Sequence, residues 1–306
     1  MSITGNEVAA VVVTYNRKEL LRTTINKLLN QIEKSCDILI INNASTDGTE
    51  DMIKEEFTQD SIIYFNTGTN LGGAGGFEYG VSKAVELGYE YVWIMDDDTW
   101  PNKDALMELM KADAKLNGNW GFLSSASYWI DGSICKANRQ KKTIFTFVKD
   151  GEYQKELIPI LMGSFVSMFV KSSVIMDIGL PIGEYFIWSD DYEFCGRICK
   201  DEKRSGYLVT RSKVVHMMKN HTKAQIAQDS IERIERYHYL YRNDVHCYRK
   251  YGILGFLYIT LKDLYSVADI LVHSKNYKFK RISTIWKGFT EGIAFNPEIL
   301  MVKKNS

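Results

Sequence analysis

The chain lacks any charge imbalance: 38 lysines and arginines offset 38 aspartates and glutamates over 306 residues. Such a balance gives no global attraction to nucleic acid or anionic lipid, and no basic face is evident. No window offers ~18 uncharged apolar residues, so no membrane-crossing helix is expected. The opening stretch MSITGNEVAAVVVTYN has no basic region followed by an apolar core, so it is not read as a signal peptide. Cysteine is sparse and odd in number. Cys36, Cys135, Cys195, Cys199 and Cys247 show no framework spacing and are read as reduced thiols of a cytoplasmic protein. Cys195 and Cys199 lie four apart, but zinc would need two further ligands beside them, so packing is their expected role. Repeats and low-complexity tracts are also missing.

The strongest signal that is present is Tyr91–Pro101, YVWIMDDDTWP. An apolar run bounded by turn chemistry reads as a buried strand, and Pro101 reads as the start of a helix. Asp96, Asp97 and Asp98 then sit just past the strand's carboxyl end, where open α/β sheets hold their ligands. Adjacent acids repel one another and are costly to desolvate without a positive partner. A hard divalent cation, Mg²⁺ or Mn²⁺, held together with a substrate diphosphate would satisfy them. A solvated acidic turn is the plainer alternative. Period-two geometry puts Asp96 and Asp98 on one side and Asp97 on the other.

Around this stretch the chain alternates. Val8–Thr14, Asp37–Ile41, Ser61–Phe65 and Tyr91–Met95 read as strands. Lys18–Asn30 and Thr49–Phe57 read as helices, and a third helix runs from the glycine-rich loop Asn70–Gly76 to Leu87. Short connections between alternating elements imply an α/β fold with a mostly parallel sheet and helices on both faces. Past about residue 120 the rhythm changes. Gly121–Tyr128 and Ile158–Val170 read as strands, Asp131–Gly132 as a hairpin turn, and Arg139–Lys142 as a solvated basic loop. Asp190–Lys200 reads as a helix and Tyr207–Met217 as one or two strands. From Ile226 the chain is helical, so a catalytic domain over 1–224 and a helical extension over 225–306 are expected.

Three further groups could carry chemistry. The loop Asn70-Leu71-Gly72-Gly73-Ala74-Gly75-Gly76 could let backbone N–H groups approach an anion at a helix start, although tight packing explains glycine equally well. No Gly-Lys-Ser/Thr follows, so it is not a Walker loop, and GxGxxG is absent. Phe186–Arg197, FIWSDDYEFCGR, places Asp190 and Asp191 at a helix start, with Glu193 one turn on. Ordinary capping by Ser189 or Asp190 accounts for one acid, not for the pair. His216 ends an apolar strand. It is a satisfied core histidine unless the fold brings it to the acids, and His221 is the reserve candidate.

Taken in order, VVVTYNRKELL, ILIINNASTDGT, NLGGAGGFEYG, MDDDTWP, FIWSDDYEFCGR and HMMKNH resemble the inverting, metal-dependent family-2 glycosyltransferases of the GT-A fold. The resemblance spans roughly residues 8–220. The glycine-rich loop and the triple aspartate resemble bacterial galactofuranosyltransferases most, with rhamnosyltransferases as near relatives. The helical tail is similar to the tails of both. Asn42 stands where these enzymes usually carry an aspartate at the nucleotide base. An amide both donates and accepts, so pyrimidine recognition survives.

The resemblance implies Asp96, Asp98 and His216 as ligands of Mn²⁺ or Mg²⁺, and Asp191 as catalytic base. It implies Asp190, Trp188 and Glu193 on the acceptor side, with Trp188 and Trp100 stacking on sugars. Thr14, Asn16, Arg17, Asn42, Asn70, Gly73, Asp96 and Asp97 would line the nucleotide-sugar site, and Arg197 would pair with an acid or position the helix. The implied donor is a UDP- or dTDP-sugar, UDP-galactofuranose first and dTDP-rhamnose as the alternative. The implied acceptor is a saccharide, lipid-linked in some relatives, in cell-surface polysaccharide synthesis. A non-catalytic carbohydrate-binding relative is the reading from another class. Residues 251–292 alternate apolar and basic patches, which suits either peripheral membrane contact or a homo-oligomer interface.

Overall fold

The computed structural model describes residues 5–200, 204–219 and 225–302. Its centre is β1 (Val8–Thr14), buried along its whole length and paired in parallel with β2 (Asp37–Asn42) and β4 (Tyr91–Asp96). A strand covered on both faces needs apolar side chains on both, which is why the middles of these segments read as apolar runs. β3 (Ile62–Asn66) continues the parallel set on the far side of β2. In the register, Thr14 pairs with Asn42, and Val13 with Asp96. The carboxyl ends of the three strands therefore finish at one level, and the acids project from that rim.

Alternate residues supply two cores. Ala9, Val11, Val13, Leu39 and Ile41 face α3 (Gly72–Glu86), α5 (Ser172–Ile178) and α6 (Asp190–Ile198). Val8, Ala10, Val12, Ile38 and Ile40 face α1 (Lys18–Leu29), α2 (Thr49–Glu56) and α4 (Ala105–Lys115). Beyond β4 the sheet continues through β8 (Met168–Lys171), β6 (Phe122–Tyr128) and β9 (Gly206–His216) to β5 (Thr99–Pro101), with β7 (Leu157–Ile160) paired to β9. Antiparallel pairs enter here. β5 and β9 are antiparallel, with Thr99 opposite His216.

The glycine-rich segment differs from expectation. Its glycines lie mostly inside α3, which begins at Gly72. Glycine costs roughly 1 kcal/mol per helix-interior position relative to alanine, so packing has to outweigh it. A Cβ on Gly76 would lie 2.5 Å from Val13 Cγ1, so the missing side chain lets α3 sit directly on β1. Three other expectations are corrected. Pro101 ends β5 rather than starting a helix, and α4 begins at Ala105. Ile158–Val170 splits into β7 and β8, which pair with different strands. Lys141 of the basic loop is 4% exposed rather than solvated. Its ammonium bonds the Tyr248 hydroxyl and lies 5.0–5.8 Å from the ring centroids of Phe147, Tyr192, Tyr248 and Tyr258. Cation–π attraction offsets part of its desolvation.

The C-terminal part is helical: α7 (Ile231–Ile234), α8 (Tyr237–Arg249), α9 (Gly252–His273) and α10 (Lys278–Ala294). The boundary expected at residue 224 falls outside the described residues. Among the described residues, no helix is long and apolar enough to cross a membrane.

Candidate active site

The end of β4 turns at once into β5, and this turn separates the three acids. Asp97 points toward α1. Its carboxylate accepts from the Thr14 hydroxyl at 2.7 Å and from Arg17 Nη1 at 3.3 Å, and its backbone carbonyl accepts from Thr24. Asp98 shares that guanidinium nitrogen, with Oδ2 2.8 Å from Arg17 Nη1, and its Oδ1 reaches away to His216 Nε2 at 3.0 Å. Asp96 Oδ2 lies 4.0 Å from the same imidazole nitrogen, and its side chain is 38% exposed. One ligand atom each from Asp96, Asp98 and His216 can be chosen so that all lie within 4.8 Å of one another. The β5–β9 register makes this possible by setting His216 beside the acids.

The electrostatics show a cluster short of positive charge. Desolvation within the cleft and the charge of Asp98 raise Asp96 to about 6. Burial raises Asp97 to about 7 against the opposing charge of Arg17. Burial disfavours the charged form of His216, but hydrogen bonds to Asp98 and Cys135 and the charges of Asp98 and Asp96 outweigh it and lift its pKa to about 10. His216 is thus held as an imidazolium, standing in for a cation among the carboxylates. Its Nδ1 is 2.8 Å from Asn138 Oδ1, which orients the ring so that Nε2 faces the acids. Asn138 carries no local sequence signature, and only the tertiary contact reveals it.

The loops after β1 and β2 form the rim on one side. Asn16 is exposed, with φ 54°, and ties them together: its N–H donates to Ser45 Oγ and its Oδ1 accepts from Thr46 N. Arg17 is half exposed above the acids. Asn70 is exposed and caps the start of α3 by accepting from Gly72 N at 2.9 Å. Gly73, on that first turn, has nothing within 4 Å of where a Cβ would stand. Thr14 and Asn42 are different. Thr14 is 1% exposed and spent on Asp97. Asn42 is fully buried, donating to Tyr64 and accepting from Ser45 N. Both hold the floor from beneath.

On the opposite side α6 begins with Asp190 and Asp191. Asp190 is 7% exposed, and burial together with the charge of Asp96 raises it to about 7. The charge of Asp96 thus reaches the start of α6. Asp191 is partly exposed and accepts from Tyr192 N at 2.7 Å. Glu193 is corrected: it is 3% exposed and paired with Arg197 and Lys250, so it braces α6 rather than facing the cleft. Arg197 also donates to the carbonyls of Ile178 and Leu180. Trp188 packs on Tyr237, ring centroids 5.3 Å apart, and Trp100 has an indole N–H without a protein partner. His221 lies outside the described residues.

The α3 and α6 sides meet. Ala74 N donates to the Phe186 carbonyl at 3.1 Å, and a Cβ on Gly72, with φ +73°, would lie 2.1 Å from that oxygen. Only glycine allows the contact.

This architecture is the GT-A fold, with its strand ends carrying paired acids and a histidine. The chain belongs to glycosyl transferase family 2, whose model matches residues 9–171, and it is a glycosyltransferase. Among curated relatives, galactofuranosyltransferase GlfT1 of Mycolicibacterium smegmatis is 23% identical over 221 residues, covering 67% of this chain and 69% of that protein. GlfT1 of Mycobacterium tuberculosis is 26% identical over 207 residues, covering 63% of this chain and 64% of that protein. The solved structure of GalNAc-T7 with UDP, GalNAc and Mn²⁺ superposes with a TM-score of 0.63 at 14% identity, covering 94% of this chain and 56% of that one. That likeness concerns the fold alone. The family match stops before α6, so the acid pair and His216 rest on geometry.

Proposed function

We propose that this glycosyltransferase moves galactofuranose from UDP-galactofuranose to a saccharide acceptor in bacterial cell-surface polysaccharide synthesis, with inversion at the anomeric carbon. The similarity to the two GlfT1 proteins supports the sugar. The gathering of Asp96, Asp98 and His216 from two distant segments carries the mechanism. Two carboxylates and an imidazole suit Mn²⁺ or Mg²⁺, and the shortage of positive charge among them is what such an ion corrects. Bound there, a divalent cation supplies charge neutralisation to the departing diphosphate.

The chain's own groups do the rest. Arg17 presents positive charge to phosphate, and Gly73 presents its N–H on the first turn of α3, where the neighbouring N–H groups of Gly72 and Ala74 are bound to Asn70 and Phe186. Asp190, protonated part of the time near neutrality, hydrogen-bonds acceptor hydroxyls. Asp191 takes the proton as the acceptor oxygen bonds the anomeric carbon and the bond from that carbon to the diphosphate oxygen breaks. A thermal-shift panel of UDP- and dTDP-sugars with Mn²⁺ tests the donor, because a ligand of the folded state raises Tm by mass action. UDP-galactofuranose should give the largest rise. A larger rise with dTDP-rhamnose would replace the sugar.

We also propose peripheral contact with an anionic membrane surface through α9 and α10. Leu261, Tyr265, Val272 and Phe279 are 66–86% exposed, and the exposed Lys275, Lys278 and Lys287 lie nearby along the chain. Asp263 is turned inward at 4% exposure, so it adds no charge to that face. Aromatic and aliphatic side chains flanked by lysines suit an interfacial helix. The protein should float with vesicles containing phosphatidylglycerol and stay behind with phosphatidylcholine alone, and Phe279→Asp with Leu261→Asp should abolish flotation. A light-scattering dimer that ignores both vesicle types would assign the face to a second copy instead.

A further inference from the structure

We infer that Asn243, flanked by Arg242 and Asp244, is a positioning residue for the acid pair Asp190–Asp191, acting from the helical extension. The inference rests on the proposed roles of those acids. Its starting point is the backbone that leads into α6. Phe186, Trp188 and Ser189 have φ of 62°, 68° and 64°. Non-glycine residues are disfavoured in this region and stay there only when their surroundings over-determine it. Three such residues within four positions, directly before two functional acids, require a holder.

The holder is the middle of α8. The Asn243 side-chain amide donates to the carbonyl of Tyr185 at 2.9 Å, of Ile187 at 3.0 Å and of Trp188 at 3.0 Å. Asn243 is fully buried, so water does not substitute for these bonds. Arg242 donates to the Glu184 carbonyl at 2.7 Å. Ser189, which precedes α6, donates its hydroxyl to Asp244 Oδ1 at 2.5 Å, and Asp244 is paired in turn with Lys262 of α9. Three consecutive residues of one helix thus fix the peptide orientations from Glu184 to Ser189. The other side of the loop rests on α3 through the bond from Ala74 to Phe186. The loop is gripped between the donor side and the extension, and the first turn of α6 points where these peptides direct it.

The chemistry of the grip is specific. Aspartate at 243 would set carboxylate oxygens against three carbonyl oxygens. Alanine would remove the side-chain donor from all three, leaving the Tyr185 carbonyl with the Ile187 N–H. Misplacing a reacting group by about 1 Å costs on the order of 10²-fold in rate, and the same scale is expected here.

The experiment compares Asn243→Ala, Asp191→Ala and the double variant, with Ser189→Ala as a milder cut of the same grip. Asn243→Ala should bind UDP-sugar and Mn²⁺ as the unaltered protein does by calorimetry, with unchanged donor KM and kcat lower by ~10²-fold. The double variant should be no slower than Asp191→Ala alone, because groups acting as a unit are not additive. Full kcat in Asn243→Ala beside an inactive Asp191→Ala overturns this inference and leaves the proposed function standing. Full activity in Asp191→Ala overturns the base assignment and with it the object of the grip. If Asn243→Ala does not fold, Ser189→Ala decides: an unchanged Tm with a several-fold loss of kcat supports the inference, and an unchanged kcat overturns it.

Discussion

Asp191→Ala is expected to leave donor binding nearly intact and to lower transfer by ~10²–10⁴-fold or more, the span that removal of a general base produces. The structure separates the two acids at the start of α6. Asp190 is 7% exposed, and burial with the charge of Asp96 raises its pKa toward neutrality. That suits a group that donates to a hydroxyl. Asp191 is partly exposed on the same turn, where an incoming hydroxyl can reach it. Only the transition state requires a proton acceptor, so its loss should fall on kcat and spare the donor's Kd. Single-turnover transfer, measured beside calorimetry with UDP-sugar and Mn²⁺, separates the two. Unchanged turnover excludes Asp191 as base.

Asp98→Ala should act on binding instead. Losing even an outer contact to a metal ligand costs 10–100-fold in affinity, so removing one of three proposed ligands should weaken Mn²⁺-dependent donor binding by more than ~10²-fold. Without added metal, the residual donor affinity should be nearly the same in both proteins. A pH dependence accompanies this. His216 is held protonated up to about 10 by Asp98 and Asp96, against burial. A metal ion displaces that proton, so binding releases it, and affinity should rise with pH from neutrality toward that value. Calorimetry in buffers of different ionisation enthalpy reads the released proton. Equal donor affinity with and without Mn²⁺ in the unaltered protein would remove the metal from the scheme.

The parallel strands are legible because a strand buried on both faces has to be apolar along its length, as Val8–Val13 is. The acids were legible because three carboxylates after such a strand are costly unless used. Other features depended on partners far away in the chain. Lys141 sits in a polar stretch that suggests solvent, yet its rings come from Tyr192, Tyr248 and Tyr258 as well as nearby Phe147. Asn138 and Asn243 are single amides whose meaning lies in His216 and in three backbone carbonyls. No local pattern announces either. Glu193, an acid one turn after a pair, has a local pattern that suggests function, and only the distant Lys250 and the neighbouring Arg197 show it as a brace. The glycine-rich segment allows both tight packing and ligand contact, and only the close approach of Gly76 to Val13 reveals the packing role.

The first turn of α3 also shapes how this scaffold can diversify. At Gly72 any side chain would strike the Phe186 carbonyl, while at Gly73 a Cβ meets nothing within 4 Å. Position 72 is therefore fixed by the backbone across from it, while its neighbour has room for a side chain. A side chain at position 73 would reshape the mouth of the proposed nucleotide-sugar site without pressing on the sheet or on the backbone that leads into α6.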